Sequence, residues 1–572
     1  MRWLERSVDA EAVEGLVRAL GVPRLVAQLL AKRGLTEPEA AARFLAPDIS
    51  HLHDPFLMAD LEVAVGRLRA AIARQEKILI YADYDVDGTM AAVVLLTALR
   101  SLGAQVEVFV PHRLTDGYGM RLPPVEKAAA EGTSLILTVD TGTREHEVIA
   151  RARELGVDCI VTDHHLLGSQ LPAACAVLNP KRPDCGYPEK NLAGVGVAFK
   201  LAQALLGAGM SERLTESYLK IVAIGTIADL VPLAGENRVM ARLGLAALQR
   251  PVQVGLTALL KRAGLGGQPV TAGDVGFRIA PRLNAAGRME NATDVIELLT
   301  TQDATRAGEI AERLDRLNRE RQQMEERIVK EIVARVGERP ELAERYCLVF
   351  ADPGWHRGVI GIVAQRVVER YHRPALVIGV EGGQAQGSGR SIAAFHLLDG
   401  LAAVGDLFDR YGGHAQAGGF ALPAERLGEL EKRIEAYARA QLSPEDLEAT
   451  LRVDAELRLE EVDWELYEAV RKLEPFGYGN PTPVFVARNL RLLMPPRVLQ
   501  EKHLKLKVAG DGRTFDALWW GQAEQAAALA PGEPLDLAFT LDVNVFQEVA
   551  SLQLVVRDLH GKSGAGNEAS RC

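Results

Sequence analysis

Three carboxylates stand at every second position in the segment YADYDVDGT, residues 81 to 89. They are Asp83, Asp85 and Asp87, and they follow the apolar run KILI, which is typical of a buried strand. Residues two apart in extended backbone lie on one face, so we expect the three carboxylates to point the same way. Their mutual repulsion favours a multivalent cation between them.

The segment taken alone has a second interpretation. The same acids can cap the helix predicted for TMAAVVLLTALRSL, and Asp-Gly is common in turns. An EF-hand calcium loop is disfavoured, because the segment lacks the Glu that closes a twelve-residue loop beginning at Asp83. A metal site and a helix cap therefore both remain open at this point.

Other predicted strands also end in acids or histidines. ILTVDTG places Asp140 at a strand end, where it could bind metal or cap the helix predicted for TREHEVIARARELG. CIVTDHH places Asp163, His164 and His165 at the next strand end. Adjacent histidines in extended backbone point to opposite sides, so we expect one to bind metal while the other faces substrate or a second metal.

Asp229 is the one acid in the apolar run YLKIVAIGTIADLVPL, and a buried carboxylate needs a partner. Carboxylates and imidazoles without a thiolate favour a hard cation, Mn²⁺ or Mg²⁺, over a closed zinc site. The set is too large for one ion. Two ions about 3.5–4 Å apart, bridged by a shared carboxylate, suit attack of water on a phosphate ester. The sequence therefore indicates phosphoryl hydrolysis.

The elements that must position these residues alternate between strands and helices. Continuous apolar runs from residue 77 to 180, separated by helical segments, predict a parallel sheet covered on both faces, an α/β fold. Strand ends in such a sheet share one edge, where ligands bind. A long helix is predicted over about 303–336, a smaller α/β domain over about 345–440, and a β-barrel or sandwich over 481–560.

Composition narrows the class of protein. A length of 572 residues suggests about three or four domains. The net charge of −10 excludes a uniformly basic nucleic-acid coat, although a site can be locally positive. Five cysteines without a C-x-x-C spacing fit neither a disulfide framework nor a zinc knuckle, and favour the reducing cytoplasm. We expect neither export nor membrane insertion.

The motifs DYDVDG, TVDTG, TDHH and GTIADLVPL, in this order, resemble the four motifs of the DHH phosphoesterase superfamily. RIAPRLNAAGRM, GSGRSI and YGGHAQAGGF resemble the single-strand-specific exonucleases of that superfamily and their DHH-associated domain. LEPFGYGNPTPVF is similar to the entry to the oligonucleotide-binding (OB) barrel of those exonucleases. The resemblance extends over about residues 20 to 560.

The resemblance implies two metal ions, Mn²⁺ or Mg²⁺, and a set of ligands with Asp140 as the bridge and His165 as a substrate-facing partner. The implied ligands are Asp83, Asp85, Asp87, Asp140, His164 and Asp229. The chain departs from the pattern at two positions. Several phosphatases of the superfamily have a ligand His where this chain has Tyr81, and Thr141 stands where Asn or Cys is frequent.

Arginines and small residues predict the side that binds substrate. Arg278, Arg282 and Arg288 flank APRLNAAG, and Arg390 lies in the Gly-rich GSGRS, where backbone N–H groups can approach a phosphate. The alternative for scattered arginines is solvation of the surface. The resemblance implies that Ser388, Arg390 and His414 hold a terminal or scissile phosphate, together with Arg113.

In the C-terminal part, KHLKLKVAG alternates apolar residues with Lys505 and Lys507, giving one apolar and one basic face. This pattern suits a half-buried strand or a binding face. Aromatic side chains nearby could stack nucleobases or could form the barrel core. They are Phe476, Tyr478, Trp519 and Trp520.

The resemblance and the residues together predict a two-metal exonuclease that degrades single-stranded DNA from 5′ to 3′ in repair and recombination. The alternatives are a phosphoesterase for small molecules or short oligonucleotides, and a non-catalytic single-strand-binding scaffold. We expect a cytoplasmic monomer, with single-strand-binding protein and a helicase as partners. The predicted parts are 1–45 helical, 46–300 catalytic, 301–344 connector, 345–445 DHH-associated, 446–562 OB-like and 563–572 a disordered tail.

Overall fold

A computed structural model describes residues 1–113, 117 and 119–561. The predicted tail, 563–572, lies outside the described residues. The chain forms two compact units, one made of residues 1–48 together with the chain from residue 449 onward, the other of Ile49–Glu448. No helix among the described residues is both long and apolar enough to cross a membrane.

The N-terminal residues form three helices where a helical segment is predicted, together with a short strand that was not predicted. In chain order these elements are β1 (Arg2–Glu5), α1 (Ala10–Leu20), α2 (Arg24–Lys32) and α3 (Pro38–Leu45).

The second unit begins with a five-stranded sheet in which every strand pair is parallel, in the order β3-β2-β4-β5-β6. Its strands are β2 (Lys77–Ala82), β3 (Gln105–Phe109), β4 (Thr133–Val139), β5 (Asp158–Thr162) and β6 (Ala176–Leu178). Its helices are α4 (Leu61–Ala73), α5 (Val86–Ser101), α6 (Leu122–Ala130) and α7 (His146–Glu154). Ile78 and Ile80 belong to one buried cluster, and Leu79 and Tyr81 to another. The sheet is therefore covered on both faces, which confirms the predicted fold.

A helical region follows this sheet. Its elements are α8 (Gly194–Leu206), α9 (Glu212–Ala228), α10 (Gly235–Leu248), α11 (Val254–Arg262), α12 (Ala272–Asp274), a π-helix (Val275–Ile279), α13 (Ala280–Met289), α14 (Thr293–Thr300) and α15 (Ala304–Glu338). Helix α15, with 35 residues, is the predicted long helix. Ile310 and Leu314 in its first half pack in the core of the parallel sheet, and Ile328 and Ile332 in its second half pack in the next core. The helix thus joins two hydrophobic cores.

The second core belongs to a mixed sheet with the order β10-β11-β9-β8-β7, in which only the pair of β7 and β8 is parallel. Its strands are β7 (Leu348–Asp352), β8 (Ala375–Glu381), β9 (Gln384–Arg390), β10 (Arg410–Gly413) and β11 (Ala417–Pro423). Its helices are α16 (Ile360–Tyr371), α17 (Leu397–Ala402) and α18 (Leu427–Gln441).

The C-terminal part of the first unit is the predicted β domain. Its elements are β12 (Thr450–Val453), β13 (Ala455–Glu456), α19 (Trp464–Arg471), β14 (Phe485–Leu492), β15 (Arg497–Leu499), β16 (His503–Gly510), β17 (Arg513–Trp519), β18 (Pro534–Phe546) and β19 (Val549–Gly561). The sheet order is β13-β14-β18-β19-β17-β16-β15, and β14 also pairs with β16. This second pairing of β14 curls the sheet into a barrel.

The N-terminal residues are built into this unit. Strand β1 pairs in parallel with β12, and Leu16 and Leu30 lie in the same buried cluster as Phe485 and Leu504.

Candidate active site

The first three acids lie where β2 gives way to α5. Asp83 directly follows the strand, Asp85 is the N-cap of the helix, and Asp87 lies in its first turn. The Asp85 side chain accepts a hydrogen bond of 3.0 Å from the backbone N of Gly88. The expectation that all three project from one extended strand end is therefore wrong, because helical backbone begins at Val86.

Asp87 is held by the first residues of α8. Its carboxylate accepts hydrogen bonds from the backbone N of Gly194 at 2.6 Å and of Val195 at 2.9 Å. A Cβ at Gly194 would lie 2.6 Å from Oδ1 of Asp140, so only glycine fits there. The start of α8 therefore holds Asp87 and leaves space for Asp140.

Asp140 follows β4 in left-handed backbone, with φ at 59°. This conformation is uncommon for a non-glycine residue and is frequent at functional sites. The Asp140 backbone N donates to Thr162 O on β5, and the residue is 1% exposed. Asp140 is therefore buried at the carboxyl edge of the sheet.

The two histidines lie side by side after β5, with ring centroids 4.6 Å apart. The prediction that they point to opposite sides is wrong, because Asp163 folds the backbone back. Its Oδ1 accepts from the backbone N of His164 and of His165 and lies 2.7 Å from Nδ1 of His165. Its Oδ2 accepts from the backbone N of Thr143. Asp163 therefore orients the pair.

His164 lies at the centre of the acids. Its Nε2 is 3.2 Å from Oδ1 of Asp140, 3.5 Å from Oδ2 of Asp229 and 3.9 Å from Oδ2 of Asp87. Asp229 comes from the C-terminal end of α9. The fold therefore gathers one imidazole and carboxylates from three separate elements.

The pKa values in this cluster reflect burial and mutual repulsion. Burial and the charge of Asp85 raise the pKa of Asp87 to about 7 and that of Asp83 well above its usual range. Burial and the charge of Asp87 raise the pKa values of Asp140 and Asp229 well above their usual range as well. Burial and the charge of His165 lower the pKa of His164 to about 3. The imidazole of His164 therefore supplies no positive charge to the acids around it.

Several atoms of the cluster make no hydrogen bond although they are buried: Oδ1 of Asp83, Oδ1 of Asp140, Nε2 of His164 and Oδ2 of Asp229. Three groups of side chains each place potential ligand atoms within 4.8 Å of one another. They are Asp83 with Asp85 and Asp140, Asp87 with His164 and Asp229, and Asp140 with both histidines. Oxygen atoms and one imidazole nitrogen suit Mn²⁺ or Mg²⁺, so the residues present fit two such ions.

A cavity of about 690 Å³ lies beside the cluster and is lined from both halves of the second unit. Four of the predicted site residues line it: Arg113, His165, Ser388 and His414. Arg390 donates to Ser388 Oγ at 3.1 Å, which brings its guanidinium to the same wall. Residues predicted to bind substrate thus meet the predicted metal site at one place.

The three arginines around APRLNAAG are used differently. Arg278 donates to Asp274 and to the backbone O of Ala263, and Arg282 pairs with Asp315 on α15 at 2.9 Å. Neither is among the described residues that line the cavity, so their assignment to substrate is not supported. Arg288 donates to the backbone O of Gly358, and burial and the charge of Arg113 lower its pKa to about 9.

Comparison with known families agrees with this architecture. The DHH family N-terminal domain matches residues 77–226, the DHHA1 domain matches residues 343–440, and the RecJ OB domain matches residues 453–558. The single-stranded-DNA-specific exonuclease RecJ of Bacillus subtilis is 39% identical over 98% of this chain and 70% of its own length. The Escherichia coli protein of the same name is 35% identical over 94% of this chain and 96% of its own length.

The chain belongs to the RecJ family. This confirms the resemblance found in its motifs. The crystal structure of RecJ from Thermus thermophilus in complex with Mn²⁺ matches this chain with 32% sequence identity and a TM-score of 0.83. The match covers 98% of this chain and 79% of the Thermus thermophilus chain. A manganese-bound exonuclease RecJ structure is 36% identical over 70% of this chain and all of its own, with a TM-score of 0.60.

Tyr81, where the motif departs from other DHH phosphatases, is fully buried in this RecJ-family chain. Its hydroxyl donates to the backbone O of Gly119 and accepts from the backbone N of Arg121. Thr141 is also buried and lines the cavity. Tyr81 therefore supports the sheet and the segment after β3, and both hydrogen bonds of its hydroxyl with described residues are to backbone groups.

Three further arginines that line the cavity were missed: Arg144, Arg357 and Arg410. Arg144 and Arg410 stand within four residues of recognised motifs, TVDTG and YGGH, so their proximity was a usable signal. Arg357 lies just before α16, and no pattern in the sequence marks it. The RecJ-family motifs therefore locate the cavity but do not identify all the residues that line it.

Proposed function

We propose that this chain is a metal-dependent exonuclease that hydrolyses single-stranded DNA from the 5′ end and releases 5′-mononucleotides. The observation that carries the proposal is the buried cluster of acids around His164, with unsatisfied ligand atoms, beside an arginine-lined cavity. Relatives at 34–39% identity are named single-stranded-DNA-specific exonucleases, which supports the same substrate here.

The proposed metal ligands are Asp83, Asp85, Asp87, Asp140, His164 and Asp229. Asp140 and His164 each belong to two of the three potential ligand groups, which supports Asp140 as the residue shared between two ions. When bound, two Mn²⁺ or Mg²⁺ ions would activate a water molecule and neutralise charge on the phosphate. RecJ crystal structures with Mn²⁺ and with Mg²⁺ support this choice of ions.

His165 is proposed to face the substrate. It lines the cavity, and Asp163 fixes the orientation of its ring through Nδ1. Burial lowers the pKa of His165, but the hydrogen bond and the charge of Asp163 outweigh burial and raise it. The ring is thus suited to donate a hydrogen bond to a phosphate oxygen while its carboxylate partner keeps it in place.

Arg113, Ser388, Arg390 and His414 are proposed to hold the phosphate at the 5′ end of the strand or at the scissile bond. A Cβ at Gly361 would lie 3.0 Å from Ser388 Oγ and 3.2 Å from an Nη atom of Arg390, so glycine keeps this wall open. Forked guanidinium donors match phosphate oxygens. These contacts position a strand end beside the acids, which favours removal of terminal nucleotides.

We also propose a division of labour along the chain. Residues 46–300 carry the chemistry, 301–344 connect, 345–445 hold phosphate, and 446–562 bind the single strand, with 1–45 attached as a helical segment. The ranges matched by the DHH, DHHA1 and RecJ OB domains support this division. Tyr478 and Trp520 are 62% and 55% exposed and can stack bases, whereas Phe476 and Trp519 pack against the barrel core.

The cellular setting is part of the proposal. We infer a cytoplasmic monomer that acts in DNA repair and recombination. Single-strand-binding protein and a helicase are the partners we propose, because both act where single strands are exposed.

Replacing Asp140 by Ala tests the site. The variant should lose Mn²⁺-dependent release of 5′-mononucleotides and still bind single-stranded DNA, because Asp140 lies in the acid cluster and the proposed DNA contacts lie elsewhere. The matched control is Glu131→Gln, an exposed acid of the same unit. Nuclease activity that persists in the Asp140 variant would overturn the assignment.

A further inference from the structure

The segment after β6, residues 179–182, is fastened directly to the active-site histidines. The fully buried Asn179 donates from Nδ2 to the backbone O of His165 at 2.9 Å and to Thr143 Oγ1 at 3.2 Å. Its Oδ1 accepts from the backbone N of Lys181 at 2.9 Å. One amide side chain therefore fixes Lys181 relative to His165.

The two cations in this segment are used in different ways. Arg182 is buried, pairs with Asp60 and Asp184, and also donates to the backbone O of Val177. Lys181 is half-buried, and within the part of the chain that the structure describes it has no ion-pair partner. Arg182 therefore anchors the segment, whereas no acid among the described residues pairs with the ammonium group of Lys181.

The charges around Lys181 belong to the active site. Burial lowers the pKa of Lys181, and the charges of Asp229, Asp163 and Asp140 act in the opposite direction. Its own charge contributes to lowering the pKa values of His164 and of the cavity residue His414. Lys181 is not itself among the residues that line the cavity, but Asn179 holds its backbone beside His165, which does line it. A flexible lysine side chain attached at this point is suited to bind an anion that enters between the cavity and the acids.

We propose that Lys181 is a further substrate-binding residue, whose ammonium group contacts a phosphate of the single strand at or next to the scissile bond. The proposal rests on the proposed function. Lysine supplies a point charge with three donors, which suits the non-bridging oxygens of a phosphodiester. Asn179 is then a positioning residue, because it sets the distance between this contact and His165.

The test compares Lys181→Gln with Lys181→Arg, which keeps the charge, and with Lys127→Gln, an exposed lysine of the same unit. Binding of a 5′-phosphorylated single strand is measured in EDTA, which prevents cleavage, and kcat and KM are measured in Mn²⁺. Three further strands each carry a single neutral methylphosphonate, at the first, the second or the third linkage. Comparing them shows which phosphate Lys181 contacts. Thermal unfolding shows whether each variant is folded.

The Gln variant should bind the natural strand about 10- to 100-fold more weakly. The slope of log affinity against log salt should fall by about 0.7, as expected for one lost phosphate contact to a single strand. At one linkage the methylphosphonate should weaken binding by the wild type by a similar factor and leave binding by the Gln variant unchanged. The Arg variant should retain most of the affinity, and the Lys127 variant all of it.

Suppose that the wild type degrades single strands, but that the methylphosphonate weakens binding equally in the wild type and the Gln variant at all three linkages. This result would overturn the Lys181 contact alone. The same holds if the Gln variant changes only the Mn²⁺ concentration needed for activity, because Lys181 would then merely balance the acids. A wild type that neither binds nor degrades single strands would overturn the proposed function and this contact with it.

Discussion

His164 Nε2 lies 3.2 Å from Oδ1 of Asp140, and neither atom makes a hydrogen bond. Burial raises the pKa of the carboxyl and lowers that of the imidazole, so the charged form of each group is disfavoured in the absence of metal. A multivalent cation would reverse this for the carboxylate, because it stabilises the ionised form that the neighbouring acids repel. These buried groups therefore lower the stability of the fold at the place where the proposed chemistry needs metal ions.

Metal binding should accordingly be visible as stability. Adding Mn²⁺ should stabilise the wild type by about 2.7 kcal/mol when the free ion is at 100 times its Kd. Asp140→Asn removes a repelled buried charge, so its melting temperature in EDTA should equal or exceed that of the wild type, while its gain on adding Mn²⁺ should be much smaller. Thermal unfolding with and without the ion measures both, and equal gains in the two proteins would refute the ligand role.

Asp163 should matter through the residues it orients. Asp163→Ala leaves the backbone N atoms of Thr143, His164 and His165 without their acceptor, so we expect a loss of about 1–3 kcal/mol in stability. We expect kcat to fall roughly 10- to 100-fold, because the ring of His165 is no longer held. Steady-state kinetics together with urea unfolding measure the two effects. A variant with unchanged kcat would show that ring orientation is unimportant.

The C-terminal domain should be removed together with the N-terminal residues. A cut at residue 450 alone would leave β1 and helices α1 and α2 without the strand and core they pack against. The fragment Ile49–Glu448 avoids this. It should hydrolyse short strands like the full chain and bind long strands more weakly, with a shallower dependence on salt. Affinity for long strands equal to that of the full chain would show that the barrel is not a binding domain.

The aromatic residues of the barrel should separate into two groups. Tyr478→Ala and Trp520→Ala should each weaken binding of single strands by about 1–3 kcal/mol with little change in stability, because both rings are exposed. Trp519→Ala should instead lower stability by about 2 kcal/mol or more, because this ring packs against the core. Fluorescence titration and unfolding would distinguish the groups, and identical behaviour of Trp519 and Trp520 would contradict the division.

The sequence was sufficient for the parallel sheet and for the acids at its edge, because continuous apolar runs and strand-end carboxylates are local signals. It left the backbone direction after β2 open, and of its two interpretations the helix cap is found at Asp85. It was misleading for His164 and His165, because Asp163 holds this segment by hydrogen bonds that alternation of residue types does not reveal.

The arginines show a second limit. Asp274 stands four residues before Arg278, so that ion pair could have been anticipated. Arg282 pairs with Asp315, 33 residues away, and only the packing of α13 against α15 brings them together. The same distance problem hid the charges that act on Lys181, which come from three separate parts of the chain.

The most direct test is digestion of end-labelled DNA by the full-length protein in Mn²⁺. Single strands and duplexes, each with and without a 5′ phosphate, should be compared. We predict that 5′-labelled single strands release labelled mononucleotide first, that 3′-labelled strands shorten progressively, and that blunt duplexes persist. Equal degradation of duplexes, internal cleavage, or release beginning at the 3′ end would contradict it.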